Sequence, residues 1–364
     1  MARPTRALVD LDALAHNCRL AARLSGNGAL MAVVKANAYG HGAVEAARVF
    51  ESTADALAVA CAEEALALRD AGIRSPILLM EGIFSEDELQ AASRHDFWVM
   101  LQNDAQLECI EQSLLPRPVC CWLKLDTGMH RLGFDPERAA VLYRRLQACP
   151  QVGGEIVLAT HLACADAPGN PHTQDQIIRF RSCTRDLNAP CSIANSPGLL
   201  AWPDSRGEWN RPGVMLYGQS PFAQPTNEDH ALRPAMTLVS SVHALRDVPV
   251  GDSVGYGSSW VARRPSRIAT VPVGYGDGYP RGARSGTPVL VNGERAPLAG
   301  RVSMDMITVD VTDLTAVQLG DPVTLWGAGL SVNEIADWAD TISYEITTRL
   351  LPRVPREYIS GPAA

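Results

Sequence analysis

The clearest candidate for chemistry in this sequence is a lysine that lies between an apolar run and a glycine-rich turn. Lys35 follows Met31–Val34 and precedes Gly40 and Gly42 in the segment 33–42, VVKANAYGHG. An amine that is partly removed from water loses some preference for its protonated form and becomes available as a nucleophile. Such a lysine can hold an aldehyde cofactor as a Schiff base. By itself the pattern more often belongs to a lysine that keeps its ammonium in water at a strand end.

Two short segments carry the residue types that bind an anion. The segment 194–198, ANSPG, contains the hydroxyl of Ser196, and the segment 211–218, RPGVMLYG, places Arg211 close to Gly213. Hydroxyls, and backbone N–H groups beside glycine, suit a phosphate. The two segments therefore predict an anion site, although each is also compatible with an ordinary turn.

Short apolar runs that alternate with helical stretches must position these residues. Eight runs are candidate strands: Met31–Lys35, Ala56–Ala60, Ile77–Glu81, Phe97–Leu101, Val119–Leu125, Ile156–His161, Cys191–Asn195 and Gly213–Tyr217. This alternation predicts a (β/α)8 barrel, whose active site lies at the C-terminal ends of the strands and whose phosphate sites commonly follow strands 7 and 8. An open, doubly wound sheet has the same alternation and stays an alternative at this level.

Three helix starts carry capping signals: Ser85 with Glu88, Thr173 with Gln176, and Asp135 with Pro136. The first two pairs have capping-box spacing, in which each side chain caps the backbone of the other residue. The third has the N-cap and first-turn chemistry of an aspartate followed by proline.

The pattern changes after Tyr217. Residues Gln219–Pro234 contain three prolines and no apolar periodicity, which predicts a linker. Strand-like segments then follow one another directly: Met236–Leu245, Arg267–Val273, Pro288–Asn292, Ile307–Val311 and Pro322–Trp326. Helical pattern returns only near Ser331–Ala339. We therefore expect a barrel domain over residues 1–230 and a mainly β domain over residues 231–364.

Composition limits the class of protein. The 364-residue chain has a formal net charge of −8, whereas nucleic-acid-binding proteins usually carry a basic face. No apolar stretch is long enough for a signal peptide or a membrane span. The nine cysteines form no CxxC pair, and there is no HExxH motif, so no metal site is indicated. Scattered thiols are typical of a reducing compartment, so we expect a cytoplasmic protein without nucleic-acid or membrane partners.

Eight motifs occur in a fixed order along the chain: VVKANAYGHG, WLKLDTGMHRLGF, ATHLA, ANSPG, RPGVMLYG, VGYGSSW, VGYGDGYPR and GRVSMDM. In this order and spacing they resemble the alanine racemase family, and the resemblance runs from about Lys35 to Tyr344. It implies an isomerase that uses pyridoxal 5′-phosphate. It also implies a barrel followed by a β domain, in agreement with the pattern of strands.

The resemblance assigns the two catalytic residues. Lys35 carries the cofactor as an internal aldimine and is one base, and Tyr256 is the base on the opposite face of the substrate. A phenol ionises in water only near about pH 10, so a tyrosine base needs positive neighbours or hydrogen bonds. Since the family forms head-to-tail dimers, the two bases of one site are expected to come from different subunits of a homodimer.

The resemblance also assigns cofactor contacts, which are Lys35, Tyr39, His161, Ser196, Arg211, Gly213, Val214 and Tyr344. The guanidinium of Arg211 faces the pyridine nitrogen and, because it stays protonated, leaves that nitrogen unprotonated. The ring then withdraws fewer electrons, which favours quick reprotonation over side reactions. His161 packs against the cofactor ring, although a buried structural histidine is equally compatible with its sequence context.

The remaining implied roles concern the substrate and the mouth of the site. Arg131, Met304 and Tyr275 are substrate-side residues, and Asp305 orients the loop of Met304. Lys124 aligns with a lysine that is carbamylated in many members and pairs there with the arginine. Charged residues at the mouth of the site are Asp166, Arg281 and Arg301.

The expected reaction is interconversion of L-alanine and D-alanine, either to supply D-alanine for peptidoglycan or in alanine catabolism. A serine or broad-specificity racemase of the same fold is the nearest alternative, because one methylene discriminates only about 10–200-fold. A basic amino-acid decarboxylase on the same barrel fits less well, since Arg211 and the pair Lys35 and Tyr256 argue against it. A non-enzymatic pyridoxal-phosphate carrier would resemble only the barrel half.

Overall fold

The protein divides into two compact units. The computed structural model describes residues 3–222 and 231–360. One unit is formed by residues 14–216 and 220–232, and the other by residues 1–13, 217–219 and 233–364. Residues 223–230, which fall in the predicted linker, lie outside the described residues.

The first unit is a parallel eight-stranded barrel surrounded by helices. Its strands pair in the order β8-β7-β6-β5-β4-β3-β2-β9. Their bounds are β2 Ala29–Val33, β3 Ala56–Val59, β4 Ile77–Leu79, β5 Phe97–Leu101, β6 Cys121–Lys124, β7 Val157–Ala159, β8 Cys191–Ser192 and β9 Trp209–Asn210. β8 and β9 are not paired as strands, but two hydrogen bonds connect them. Ser192 Oγ donates to Trp209 O at 2.8 Å, and beyond the strand ends Arg211 N donates to Ala194 O at 2.9 Å. The predicted fold class is confirmed.

Helices connect the barrel strands, as the alternation predicts. They are α1 Leu11–Ser25, α2 Lys35–Tyr39, α3 Ala43–Phe50, α4 Ala62–Asp70, α5 Glu86–His95, α6 Asp104–Gln112, α7 Ala139–Ala148, α8 His172–Thr184 and α9 Ser196–Ala201. Ser85 caps α5 by accepting from Glu88 N, and Asp135 caps the short 3-10 turn Pro136–Arg138. The barrel interior is filled by apolar side chains from successive strands, including Met31, Ala58, Leu78, Met100 and Trp122.

Two local predictions in the barrel were wrong. The predicted eighth strand, Gly213–Tyr217, contains a 3-10 helix at Val214–Tyr217, and the eighth strand is the two-residue β9. The predicted capping box of Thr173 does not form, because α8 begins at His172 with Pro171 as its N-cap. The amide of Gln176 instead accepts from Ala163 N at 2.8 Å and donates to His161 O at 3.0 Å.

The second unit is mainly β, with three antiparallel or mixed sheets. The largest has the order β16-β15-β18-β10-β1-β19, and smaller sheets are β11-β14-β17 and β12-β13. The strands are β1 Arg6–Asp10, β10 Met236–Ser241, β11 Ala244–Val248, β12 Ser253–Val254, β13 Trp260–Val261, β14 Ser266–Val271, β15 Pro288–Val291, β16 Glu294–Pro297, β17 Ile307–Asp310, β18 Pro322–Trp326 and β19 Arg356–Ile359. Two short helices close the unit, α10 Val332–Trp338 and α11 Ser343–Thr348.

The N-terminal strand lies in this second unit, whereas the expected division placed residues 1–230 in the barrel. β1 pairs antiparallel with β10, where Leu8 is opposite Thr237, and parallel with β19. The alternation in Arg6–Asp10, with Ala7 and Val9 buried, fits a strand of a sheet that buries one of its two faces. Its partners are more than 200 residues away along the chain, so the sequence pattern around β1 gives no indication of them.

All nine cysteines are free thiols, and none is fully exposed. Cys18, Cys121 and Cys149 are buried, and the other six are half-buried. Within residues 3–222 and 231–360, no helix has both the length and the apolar character that crossing a bilayer requires.

Candidate active site

Lys35 lies at the C-terminal end of the barrel, directly after a strand that is hydrogen-bonded to the chain on both of its sides. Val34 N donates to Ala58 O on β3 at 2.8 Å, and Val33 N donates to Pro212 O at 3.0 Å. β2 ends at Val33, two residues before the predicted limit of the strand. The lysine therefore begins the connection, where side chains at this end of a barrel are placed for catalysis.

The connection after Lys35 is a left-handed turn. Residues Ala36–Tyr39 all have φ between 52° and 54°, a conformation that costs about 1–2 kcal/mol for each residue other than glycine. Local hydrogen bonds hold the turn in this conformation. Ala38 N donates to Val34 O at 2.8 Å and Gly40 N to Ala36 O at 3.0 Å, while the Asn37 side chain accepts from Ala43 N at 2.9 Å.

The surroundings of Lys35 favour a neutral amine. Burial lowers the pKa of Lys35, and the positive charge of Arg131 lowers it further, whereas Glu81 and Glu64 oppose the shift. A lowered pKa increases the fraction of neutral amine, which is the nucleophilic form, near neutral pH. The direction of this shift is compatible with the predicted role of Lys35 as a nucleophile.

Four of the predicted anion-binding residues meet at the loops after β8 and β9. Ser196 Oγ accepts from Gly213 N at 2.8 Å and from Met215 N at 3.3 Å. The phenol of Tyr39 lies against Gly213, since a Cβ built on that glycine would be 2.3 Å from the Tyr39 oxygen. Val214, which is buried, begins the 3-10 helix here, and the first N–H groups of a helix have no acceptor inside it. Hydroxyls and helix N–H groups of this kind are suited to binding an anion.

Arg211 is a buried cation on the floor of the site. Its guanidinium donates to Ser192 Oγ and, at 2.5 Å, to Thr160 O, while its Nε is buried and lacks a partner among the described residues. Burial lowers the pKa of Arg211 to about 10, so it is still protonated at neutral pH. A buried N–H without a partner costs free energy, which a bound acceptor would recover.

Lys124, at the end of β6, is the second amine of the site. It is 9% exposed, and its Nζ donates to Gln102 Oε1 at 3.2 Å. Burial, followed by the charges of Arg211 and Arg131, lowers the pKa of Lys124 to about 8. The chain then loops out through Arg131, which is exposed, and returns where Phe134 N donates to Lys124 O at 2.9 Å.

His161 follows β7 at the same end of the barrel. Burial lowers the pKa of His161 well below its usual range, and the neighbouring charge of Arg211 acts in the same direction. The imidazole is therefore neutral at physiological pH and suited to packing against a planar ring. Gln176 fixes this loop through its hydrogen bonds to Ala163 N and His161 O.

The second unit contributes a separate group of predicted residues. Tyr275 N donates to Ser303 O at 3.0 Å, and Gly276 N donates to Met304 O at 2.7 Å, so the Tyr275 turn and the Met304 loop are joined. Gly274 permits this approach, because a Cβ there would lie 2.3 Å from Ser303 O. Tyr256 lies elsewhere in the unit, between two glycines with positive φ, and is 71% exposed.

A buried carboxylate anchors the turn of Tyr275. Asp277 is fully buried and accepts from Gly274 N at 2.9 Å, from Arg3 at 2.7 Å and from Arg353 at 2.7 Å. Arg353 also donates to Asp305 at 2.6 Å. The predicted orienting role of Asp305 thus has a physical basis in this shared arginine, although Asp277 is the carboxylate that is buried.

The residues predicted at the mouth of the site are exposed side chains of their units. Asp166 lies in the loop after β7 of the barrel, and Arg281 and Arg301 lie in the second unit. The Arg301 guanidinium is close to Gly257, next to Tyr256. Tyr344, in α11, is half-buried. Among the described residues, no three His, Cys, Asp or Glu side chains are grouped as a metal site would require.

Sequence reasoning missed several residues that support the site, namely Glu64, Gln102, Gln176, Asp277 and Arg353. These polar side chains follow no catalytic pattern, and their partners are distant along the chain. One available signal was overlooked. Of the 32 lysine and arginine residues, Lys35 and Lys124 are the only lysines, and both lie at the same end of the barrel. The sequence therefore places its two amines at this end of the barrel and uses arginine for the other basic residues.

A barrel with a buried cation and a lysine of lowered pKa at the C-terminal ends of its strands is the arrangement expected of a barrel enzyme that uses amine chemistry. Residues 9–221 match the family model described as alanine racemase, N-terminal domain, and residues 235–358 match alanine racemase, C-terminal domain. The chain belongs to the alanine racemase family.

Individual relatives agree with the family match over the whole length. The chain is 50% identical over 362 residues to an alanine racemase of Xanthomonas axonopodis pv. citri, covering 100% of this chain and 98% of the relative. It is 50% identical over 357 residues to a catabolic alanine racemase of Pseudomonas putida, covering 98% and 99%. The crystal structure of the biosynthetic alanine racemase from Pseudomonas aeruginosa has a TM-score of 0.95 at 47% identity and covers 98% of this chain and 100% of that one.

Proposed function

We propose that this protein interconverts L-alanine and D-alanine with pyridoxal 5′-phosphate, using Lys35 and Tyr256 as its two bases. The observation that carries the proposal is the arrangement around Lys35. A lysine with a lowered pKa, an anion corner at Ser196 and Gly213, and the buried Arg211 share the C-terminal end of one barrel. Membership of the alanine racemase family gives this arrangement its chemistry.

The residues of the barrel fit pyridoxal phosphate. Tyr39, Ser196, Gly213 and Val214 would hold its phosphate, joined by Tyr344. The unpartnered Nε–H of Arg211 supplies a donor for an unprotonated ring nitrogen, and the neutral His161 supplies a flat face. When bound, the cofactor supplies an aldehyde for amine chemistry and an electron-withdrawing ring that makes the Cα–H of an amino acid acidic.

Inversion of the stereocentre needs a base on each face of a planar carbon. The neutral amine of Lys35 can remove or return the α-proton on one face. Tyr256 serves the other face, and the guanidinium of Arg301 lies close to its neighbour Gly257. Arg211 limits electron withdrawal by the ring, so that quick reprotonation is favoured over side reactions.

Arg131 binds the substrate carboxylate or the cofactor phenolic oxygen, for which its fork of donors is suited. An unmodified, protonated Lys124 would repel this cation, whereas a carbamate on its Nζ would reverse the sign of the interaction. The lowered pKa of Lys124, about 8, supports the modification, because carbamates form on neutral amines. Met304 and Tyr275 complete the substrate side, and Asp166, Arg281 and Arg301 line its mouth.

We further propose that the working form is a homodimer in which Tyr256 of one copy completes the site of the other. The 71% exposure of Tyr256 supports this view, because a base that works away from water must be covered by other protein groups. The same applies to Met304, which is 54% exposed. The expected location is the cytoplasm, where D-alanine would serve peptidoglycan synthesis or alanine would be catabolised.

The test is formation of the D-isomer from L-alanine and, separately, from L-serine by the purified protein with added cofactor. We expect alanine to be favoured over serine by about 10–200-fold and Lys35→Ala to abolish conversion of both. Equal rates with both amino acids would favour the broad-specificity alternative. A yellow, cofactor-bound protein that racemises neither would overturn the proposal in favour of a decarboxylase or a carrier.

A further inference from the structure

We propose that Glu64 is a positioning residue for Lys35, whose carboxylate holds the left-handed turn that aims the lysine amine. Glu64 Oε1 accepts from Ala36 N at 2.6 Å, and Glu64 Oε2 accepts from Ala60 N at 2.9 Å. One carboxylate therefore joins the backbone directly after Lys35 to the backbone directly after β3. The inference rests on the proposed function only for the role of the lysine.

The turn after Lys35 needs such a contact. Ladder pairing between β2 and β3 ends where Val34 N donates to Ala58 O, so the N–H of Ala36, two residues further along the chain, lies beyond this pairing. The left-handed conformation of Ala36–Tyr39 is intrinsically unfavourable. A charge-assisted hydrogen bond is roughly twice as strong as a neutral one, and here it acts at the first strained residue.

The sequence of α4 explains why this glutamate reaches the turn. Glu64 is the third residue of α4, and its N-cap, Cys61, has an extended backbone and makes no side-chain cap. A glutamate at this position can reach back over the start of the helix. Glu64 does so, binding Ala60 N and extending to Ala36 N. The adjacent Glu63 is exposed and provides a matched control in the same helical turn.

Glu64 also contributes to the electrostatics of the amine. Burial and Arg131 lower the pKa of Lys35, while Glu81 and Glu64 raise it. Other ionisable groups at this end of the barrel include Lys124, Arg211, His161, Asp126 and Tyr39. Loss of the Glu64 charge should lower the pKa of Lys35 further, and loss of the hydrogen bonds should loosen the turn. The two effects can be separated by choice of substitution.

The experiment compares Glu64→Gln, Glu64→Asp and Glu63→Gln in the full chain. Because Lys35 and Lys124 are the only lysines, NMR of 13C-labelled lysine in cofactor-free protein gives two side-chain titrations, and Lys124→Ala assigns them. We expect Glu64→Gln to lower the pKa of Lys35 and to reduce kcat about 10- to 100-fold, with KM for alanine nearly unchanged. Glu64→Asp, which keeps the charge but cannot span both N–H groups, should lower kcat with little change in the titration.

Glu63→Gln should match the wild type in both measurements. The proposal is overturned if Glu64→Gln titrates and turns over like the wild type, or if Glu63→Gln has the same effects. If the wild type does not racemise alanine, the proposed function fails. The titration still reports on the coupling of Glu64 to Lys35, because it needs no turnover. Should Glu64→Gln not fold, Glu64→Asp alone decides, since wild-type kcat in that variant also contradicts the proposal.

Discussion

At the scale of single residues, the two lysines of this chain have different environments although both lie at the same end of the barrel. Burial and the charge of Arg131 lower the pKa of Lys35, whereas the carboxylates of Glu81 and Glu64 oppose this shift. Lys124 is more buried, and the cations Arg211 and Arg131 outweigh the opposing charge of Asp126. The first environment suits a proton carrier, and the second suits an amine that is modified to become an anion.

We predict that Lys124 forms a carbamate that can be detected by NMR with 13C-labelled bicarbonate. Its folded-state pKa of about 8 is below that of an ordinary lysine. A substantial neutral fraction is therefore present at pH 8, and it falls as the pH drops below that value. The carbamate signal should be present at pH 8 and weak at pH 6. It should be missing in Lys124→Ala, and its persistence in that variant would contradict the assignment.

At the scale of elements, the loops that carry Tyr275 and Met304 are held by a polar network rather than by regular structure. Two backbone hydrogen bonds join them, and the buried Asp277 ties the Tyr275 turn to Arg3 and Arg353. Arg3 precedes the first strand, so the N-terminal segment helps to fix a turn more than 270 residues away along the chain.

We predict that Asp277→Asn destabilises the protein by about 2 kcal/mol, because two arginines and the Gly274 N–H lose a buried carboxylate. Equilibrium unfolding in urea measures this change, and KM for alanine should rise as the loops loosen. The matched control is Asp313→Asn, which removes an exposed partner of Arg264 and should leave stability unchanged. Equal losses of unfolding free energy in the two variants would show that the buried network around Asp277 does not stabilise the protein.

The sequence predicts most of these elements but not all of them. Seven barrel strands give clear apolar runs, and Lys35 is placed by the run before it. The eighth strand, β9, has only two residues, whereas the neighbouring buried 3-10 helix Val214–Tyr217 has the stronger apolar run. Periodicity cannot distinguish a short buried strand from a short buried helix. Glu64 and Asp277 act through tertiary contacts, which no local pattern encodes.

At the scale of the whole molecule, the predicted bases belong to different compact units, with Lys35 in the barrel and Tyr256 in the β unit. A homodimer that shares its sites between copies makes a specific prediction for mixed variants. In a hybrid of Lys35→Ala and Tyr256→Phe subunits, one site carries both substitutions and the other carries neither. Unfolding and refolding the two variants together at equal amounts should restore about a quarter of wild-type specific activity.

As a control, each variant is unfolded and refolded alone. Its activity should then equal the low activity that the variant had before unfolding. If each site is built within one chain, both sites of the hybrid carry one substitution and the mixture gains nothing. Chemical cross-linking or light scattering of the wild type shows independently whether the protein is a dimer.

In the proposed reaction two different residues serve the two faces of the substrate, and exchange of the α-hydrogen can distinguish them. Tyr256→Phe is incubated in D2O with L-alanine and, separately, with D-alanine, and NMR and chiral chromatography follow deuterium incorporation and inversion. Tyr358→Phe, at an exposed tyrosine of β19, is the control. We predict that Tyr256→Phe exchanges the α-hydrogen of one enantiomer only, while racemisation falls by about 10²- to 10⁴-fold. Exchange of both enantiomers at equal rates, with racemisation retained, would contradict the account.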